Sequence, residues 1–364
     1  MTGRPSASRR RGPPGAGRGT PNLRILLTAD PMLPVPPVGY GGIERIVDAL
    51  ARCFRAEGHA VGLVAHPDSA CAVDSFFGWP AAGQVGGIGA LRNSAALRGA
   101  ARLFRPDVIH SFSRLGYLLP VLLSAPPKVM SYQRHAGGGQ IRWASRLAGR
   151  SLRFTGCSEY ICAMGRRSGG DWRAIPNFVE LEKFTFVQSV ASDAPLVFLS
   201  RIESIKGPDV AIDIARASGR RLILAGNRAE AGPERAFWEK RIAGRIGRDG
   251  VEWIGEVDDA RKNELLGRAA ALLVPIQWDE PFGIVFAEAL AAGTPVITCA
   301  RGATPEIVEP GRTGFFVSDT ASGAEAVGRL GQIDRLACRR AAESRFSREV
   351  CARRYMDLYK EMKP

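Results

Sequence analysis

One rhythm governs the chain from residue 22 onward. A short apolar run is followed by a stretch with apolar residues at helical spacing, and then by another short run. "LRILLTAD" reads as a strand. "GIERIVDALARCFRAEG" reads as a helix, with Ile43, Ile46, Val47, Leu50 and Phe54 close to a period of about 3.6 and Gly58 at its end. "AVGLVAH", "PDVIHSF", "PKVMSYQ" and "RFTGCS" read as further strands, and "NSAALRGAARLF" and "QIRWASRLAGR" as further helices. Such alternation implies a parallel sheet covered by helices on both faces.

"IPNFVELEKFTF" (Ile175 to Phe186) interrupts the rhythm, and a second series then begins. "PLVFLSRI", "RLILAG", "VEWIGEV", "ALLVPI" and "PVITCA" read as strands. "GPDVAIDIARAS", "ERAFWEKRIAGRI" and "DDARKNELLGRA" read as helices among them. The fold class is therefore α/β, with two tandem Rossmann-like, doubly wound parallel-sheet domains facing a cleft. Residues 22–177 form the first domain, 178–192 a linker and 193–345 the second. Residues 346–364 form an amphipathic helix that crosses back to the first domain. Residues 1–21, rich in Arg, Gly and Pro, have almost nothing to bury and should be disordered. Ligands of such sheets bind outside the carboxyl ends of the strands, which two facing domains turn into a cleft.

Charge and cysteine narrow the function classes. The net charge of +14 is concentrated in the first half, whereas residues 181–364 are nearly balanced. A basic first domain suits an anionic acceptor or an anionic lipid surface. No recognition motif accompanies the charge, so nucleic acid is not expected. The longest apolar candidate for a membrane span, "YLLPVLLSAPP", is too short and carries three prolines. The N-terminus has no apolar stretch of the secretory kind. The seven cysteines have irregular spacing and no CxxC pair, as expected for reduced thiols and no structural zinc. The expected location is cytoplasmic, with a peripheral contact to the inner membrane. Arg142, Arg146, Arg150 and Arg153 recur at helical spacing beside Trp143 and would supply that contact.

The chemistry concentrates in "DEPFGIVFAEAL" (residues 279–290). Phe282, Gly283 and Ile284 fall in the first turn of a helix, where amide N–H groups lack intrahelical partners and the dipole favours an anion. Glu280 stands outside the helix mouth and Glu288 lies about a turn and a half inside. A diphosphate needs neither carboxylate, but sugar hydroxyls donate well to both. The simplest ligand is therefore a diphosphate at the amides, with a hexose at Glu280 and a ribose at Glu288. "SRIESIKG" places Arg201 and Lys206 after the first strand of the second domain, where they can neutralise a diphosphate. "GYGGIER" places Gly41 and Gly42 at a second helix mouth, in the first domain.

These residues resemble family 4 glycosyltransferases of the retaining GT-B class, over residues 23–361. The most specific mark is the E-x7-E pattern in "EPFGIVFAEALAAGTPVI", accompanied by "SRIESIKG", "YGGIER", "DVIHSF", "AIPNFVE" and "GATPEIV". The resemblance implies a hexosyltransferase that uses a nucleotide-sugar donor, a UDP-sugar before a GDP-sugar. By position it implies that Arg201 and Lys206 meet the donor phosphates, Glu280 the transferred sugar and Glu288 the ribose. Phe282, Gly283 and Ile284 would make backbone contacts, Gly42 would reach across from the first domain, and the backbone around Ile254 and Val257 would meet the base. No cofactor is implied. No D-x-D sequence occurs, so transfer is expected to need no metal, with Arg201, Lys206 and the helix mouth stabilising the leaving group.

One position departs from the family pattern. The strand "VMSYQ" ends in Gln133, where many members have histidine. His135, in the following "HAGGG" loop, and His110, read as ending the strand in "DVIHSF", are the candidates for that role. Two rivals stand beside the transferase: a nucleotide-sugar 2-epimerase of the same architecture, and a binder that has lost catalysis. The E-x7-E pattern argues against the epimerase, and intact Arg201, Lys206, Glu280 and Glu288 argue against the binder.

Overall fold

The structure, a computed structural model, describes residues 22–363 apart from Tyr40 and Val85. The stretch expected to be a disordered tail lies outside the described residues. The first sheet contains β1 (Arg24–Thr28), β2 (Ala60–Ala65), β3 (Ser75–Gly78), β4 (Val108–Ser111), β5 (Lys128–Tyr132), β6 (Leu152–Gly156) and β7 (Trp172–Ala174). Their spatial order is β3-β2-β1-β4-β5-β6-β7, parallel throughout. The second sheet contains β8 (Leu196–Leu199), β9 (Leu222–Ala225), β10 (Val251–Trp253), β11 (Ala271–Val274), β12 (Val296–Thr298) and β13 (Gly314–Phe316). Its order is β10-β9-β8-β11-β12-β13, again parallel. In each sheet the first strand lies inside and the winding reverses beside it. That reversal opens a crevice at the strands' carboxyl ends.

Helices α1 (Gly42–Ala56), α2 (Gly87–Phe104), α3 (Gly139–Ala148) and α4 (Glu159–Arg166) belong to the first domain. Helices α5 (Pro208–Ala217), α6 (Gly232–Phe237), α7 (Asp259–Arg268), α8 (Ile284–Ala291), α9 (Thr320–Gly328) and α10 (Arg335–Phe346) belong to the second. Helices on both faces explain why the inner strands are apolar without alternation: Ile25, Leu26 and Leu27 on β1 and Ala271, Leu272 and Leu273 on β11 are all fully buried. Three short edge strands, β3, β7 and β13, carry too few apolar residues to stand out in the sequence. The stretch expected as one helix over "ERAFWEKRIAGRI" breaks after α6 into a wide π-turn (Trp238–Ile242) and a 3-10 turn (Ala243–Arg245).

The last helix, α11 (Arg348–Met362), returns to the first sheet. Its Cys351, Tyr355, Leu358 and Tyr359 share a core with Phe54 of α1 and Val108 of β4. The Tyr359 ring meets that of Phe54 edge-on at 5.9 Å. The chain thus passes between the domains twice at one place, where the Val179 amide donates to the Phe346 carbonyl at 2.9 Å. Glu180 ties this crossing together by pairing with Arg52 of α1 (2.8 Å), Arg348 of α11 (3.1 Å) and Lys183 (2.6 Å).

Candidate active site

Between the carboxyl ends of the two sheets lies a cleft of about 2530 Å³. The second domain supplies its charged wall. After β8 the chain makes a 3-10 turn (Ser204–Lys206) that carries Lys206 into the cleft. The Lys206 ammonium donates to Glu280 Oε2 at 2.5 Å and lies 4.8 Å from the centre of the Trp278 ring. Trp278 Nε1 donates to the same carboxylate oxygen at 2.9 Å. Glu280 is only 8% exposed, so these two donors satisfy a carboxylate that would be costly to bury alone. Gly302 backs it. A Cβ there would lie 2.4 Å from the Glu280 carbonyl oxygen, so the backbone of the loop after β12 can press against Glu280 only with glycine at this position. The neighbouring Ala303 amide donates to that carbonyl at 2.8 Å.

The helix mouth is real but starts slightly later than expected. Helix α8 begins at Ile284, with Gly283 as its N-cap at φ 83°. Phe282 therefore precedes the helix and is buried, its ring 5.8 Å from that of Phe346. Gly283 is fixed by conformation and by space, because a Cβ would come within 2.5 Å of the Phe286 ring. Opposite it, α1 begins at Gly42, where a Cβ would sit 3.4 Å from Ile284 Cδ1. The two helix mouths therefore face each other across the cleft. Arg201 lines the same wall, half-exposed and paired with Glu203 at 2.5 Å.

Glu288 is also held by a lysine. Lys262 of α7 donates to Glu288 Oε1 at 2.6 Å and lies 3.2 Å from Asp259, which pairs with Arg45 of the first domain at 2.8 Å. Burial alone would lower the Lys262 pKa, but Glu288 and Asp259 outweigh it and raise it. Burial likewise pushes the Asp259 carboxyl up, and Lys262 and Arg45 hold it below its usual range. A charged relay thus runs from α1 through α7 to α8.

The domains are joined at the cleft's edge. Ser158 Oγ donates to the Pro281 carbonyl at 2.6 Å. The Glu306 carboxylate accepts from the Glu159 and Tyr160 amides at 2.6 and 2.8 Å, filling the mouth of α4.

One expected site residue is placed elsewhere. His110 does not face the cleft. It is fully buried on β4, between Tyr359 Oη at 2.5 Å on Nδ1 and Ser131 Oγ at 2.6 Å on Nε2. Burial pushes its pKa down to about 3, so this is a neutral structural imidazole under α11. It stands next to the end of β4, and the returning helix covers it. The Ile254 side chain packs against the core and its amide donates to the Leu224 carbonyl at 3.0 Å, which leaves only its carbonyl for a ligand. Val257 does line the cleft. So do His135, which is exposed, and Gln133, whose Oε1 and Nε2 are buried with no hydrogen-bond partner among the described residues. Arg153 leaves the expected basic helix face. It lies on β6 and pairs with Asp171.

The sequence assigns no role to Lys262 or Trp278, and none to Gly302 and Glu306 individually, although both lie in the "GATPEIV" stretch. Trp278 had a local signal, two residues before Glu280. Lys262 had none, because only the fold brings α7 beside α8.

The comparisons with known proteins agree with this geometry. The family model for glycosyl transferases group 1 matches residues 182–337, and that for glycosyltransferase family 4 matches residues 40–183. Together they span both domains, and the chain belongs to this family of GT-B glycosyltransferases. A D-inositol 3-phosphate glycosyltransferase of Nocardioides sp. is 34% identical over 189 residues, covering 46% of this chain and 41% of that protein. Spore coat protein SA of Bacillus subtilis is 26% identical over 186 residues, covering 46% of this chain and 48% of that protein. The matches thus span less than half the length of these curated relatives. Among solved structures, AviGT4, a glycosyltransferase involved in avilamycin A biosynthesis, is 27% identical with a TM-score of 0.70, covering 93% of this chain and 98% of that one. Anabaena HepE in complex with UDP and glucose shares the fold, at 19% identity and a TM-score of 0.70, covering 93% of this chain and 100% of that one.

Proposed function

We propose that this protein is a retaining glycosyltransferase that moves a hexose from a nucleoside-diphosphate sugar to an acceptor hydroxyl, without a metal. The carrying observation is the pair of lysine-held carboxylates, Lys206–Glu280 and Lys262–Glu288, on either side of the α8 mouth. The α8 amides take the diphosphate, and Lys206 and Arg201 neutralise it. Glu280, released from Lys206 as the ammonium turns to phosphate, accepts hydroxyls of the hexose. Glu288 accepts ribose hydroxyls, and Val257 lies toward the base. Gly42 closes on the donor from the first domain, a movement that completes the site.

In the reaction, the bond between the anomeric carbon and the diphosphate oxygen breaks. The acceptor oxygen bonds to the same face of that carbon, and its proton passes to the departing diphosphate. Cations at the leaving oxygen lower the barrier by electrostatics. His135 meets the transferred sugar from the first domain. A UDP-sugar is the favoured donor and a GDP-sugar the next, in keeping with the UDP named for HepE. Transfer by purified protein in EDTA, read as UDP release with the product's anomeric configuration assigned by NMR, tests this reading. Inverted product, or free epimerised sugar without acceptor, would overturn it.

A peripheral contact with an anionic bilayer, on the cytoplasmic face of the inner membrane, completes the proposal. On α3, Trp143 and Leu147 are exposed one turn apart, beside exposed Arg142 and Arg146, with Arg150 just beyond. An apolar stripe flanked by cations suits such a surface. Among the described residues, no helix is long and apolar enough to cross a membrane.

A further inference from the structure

The donor features occupy the second-domain wall of the cleft and leave most of its volume unused. At about 2530 Å³ it exceeds the roughly 300–1,000 Å³ of a typical small-molecule site. The first-domain wall has two unexplained features, one deep and one at the rim.

At depth, the loops after β4 and β5 bring Ser113 and Gln133 to neighbouring strand ends. Both residues are half-buried, but Ser113 Oγ and both polar atoms of the Gln133 amide are buried and, among the described residues, have no hydrogen-bond partner. Buried polar atoms left unpaired are rare and carry a penalty, which a side-chain rotation toward a ligand in the cleft can remove. Together they offer a hydroxyl, an amide donor and an amide acceptor, a set that suits a sugar or polyol hydroxyl and not an anion alone.

At the rim, four large apolar side chains line the cleft while facing solvent. They are Met32 (46% exposed), Val38 (97%), Leu91 (71%) and Leu119 (47%). They come from the β1–α1 loop, from α2 and from the 3-10 turn Leu115–Val121, three segments that converge on one wall. Ile88 (76%) extends the patch one turn back along α2. A wholly polar acceptor would gain nothing from this rim, and exposed apolar surface gathered at a ligand groove marks what the groove receives.

Resting on the glycosyl-transfer reading, we propose that the first-domain half of the cleft takes an amphiphilic acceptor. Its hydroxylated head lies at Ser113 and Gln133, and its apolar body lies along Met32, Val38, Leu91 and Leu119. The acceptor is thus a glycoside or polyol attached to an alkyl, lipid or other apolar aglycone, and the head offers its hydroxyl to the donor's anomeric carbon.

The test compares methyl glucoside with octyl glucoside below its micellar concentration, by calorimetry on UDP-saturated protein. UDP affinity is measured in the same samples. Octyl glucoside should bind at least tenfold more tightly than methyl glucoside. Val38→Asp and Leu91→Asp, at exposed positions that leave the fold intact, should abolish that difference while leaving UDP affinity unchanged. Gln133→Ala should weaken both glucosides by a similar factor. Equal affinity for the two glucosides, with UDP still bound, overturns the amphiphilic acceptor and leaves the donor site standing. Failure to bind any nucleotide overturns the transferase reading beneath it. Two further outcomes also overturn the proposal: loss of self-association, seen by sedimentation, in the Asp variants with no change in glucoside binding, or loss of vesicle binding alone. The first would assign the rim to a second copy of the chain, and the second to a bilayer.

Discussion

The two domains share one architecture but present opposite surfaces to the cleft. The second-domain wall is electrostatically closed: Glu280 is held by Lys206 and Trp278, Glu288 by Lys262, and Arg201 by Glu203. The first-domain wall is open, with Gln133 and Ser113 unpaired among the described residues and apolar side chains at the rim. Among the described residues, every exposed large apolar side chain, from Met32 to Leu147, lies in the first domain. A wall that must hold a doubly charged, hydroxyl-rich donor needs its charges paired in the donor's absence. On the acceptor proposal, the first-domain wall keeps its surface unpaired until a partly apolar acceptor arrives.

Substitutions on each wall should break this contrast in different ways. Lys206→Ala removes the cation at the leaving group and should cut kcat by about 10²–10³-fold, measured as UDP release, with the cooperative thermal transition retained. Glu288→Ala should act mainly through donor binding. It should raise the donor KM by roughly tenfold, the equivalent of about 1.4 kcal/mol for lost charged hydrogen bonds, and leave acceptor KM unchanged. On the first domain, Arg142→Glu with Arg146→Glu should weaken binding to anionic vesicles by at least tenfold, since each basic residue contributes about 1 kcal/mol near such a surface. Turnover on a water-soluble acceptor should not change.

The smallest effect on activity is expected at His110. His110→Gln should lower stability by about 1–3 kcal/mol through its disrupted hydrogen bonds, without altering kcat of the folded fraction. The pH dependence follows from its depressed pKa. The neutral imidazole contributes fully above its ordinary pKa of 6.5, and that contribution is lost as pH falls from there toward about 3, because only the unfolded chain takes up the proton in that window. Urea unfolding from pH 7 to pH 4 should therefore show a shallower fall for His110→Gln than for the parent chain.

The second domain was the more legible of the two, for a physical reason. Its key groups are packed into two short stretches, residues 201–206 and 280–288, so their spacing survives in one dimension. The first-domain wall is assembled from loops far apart in the chain, and no spacing links Val38, Leu91, Leu119 and Gln133. The βα alternation revealed both sheets, because burial on two faces leaves continuous apolar runs. It did not reveal that α11 would seal His110, since that contact joins residues 249 apart. Lys262 was invisible for the same reason, 26 residues from the carboxylate it holds.

The central claim is that the α8 mouth, with its two lysine-held carboxylates, is a nucleotide-sugar site that needs no metal. A thermal-shift series with UDP, GDP, ADP and TDP and their common sugars, run in EDTA, tests it most directly. Stabilisation by one nucleotide, with UDP first, and loss of that shift in Lys206→Ala are the predicted results. No shift with any of the four, or a shift that requires a divalent cation, would contradict the claim.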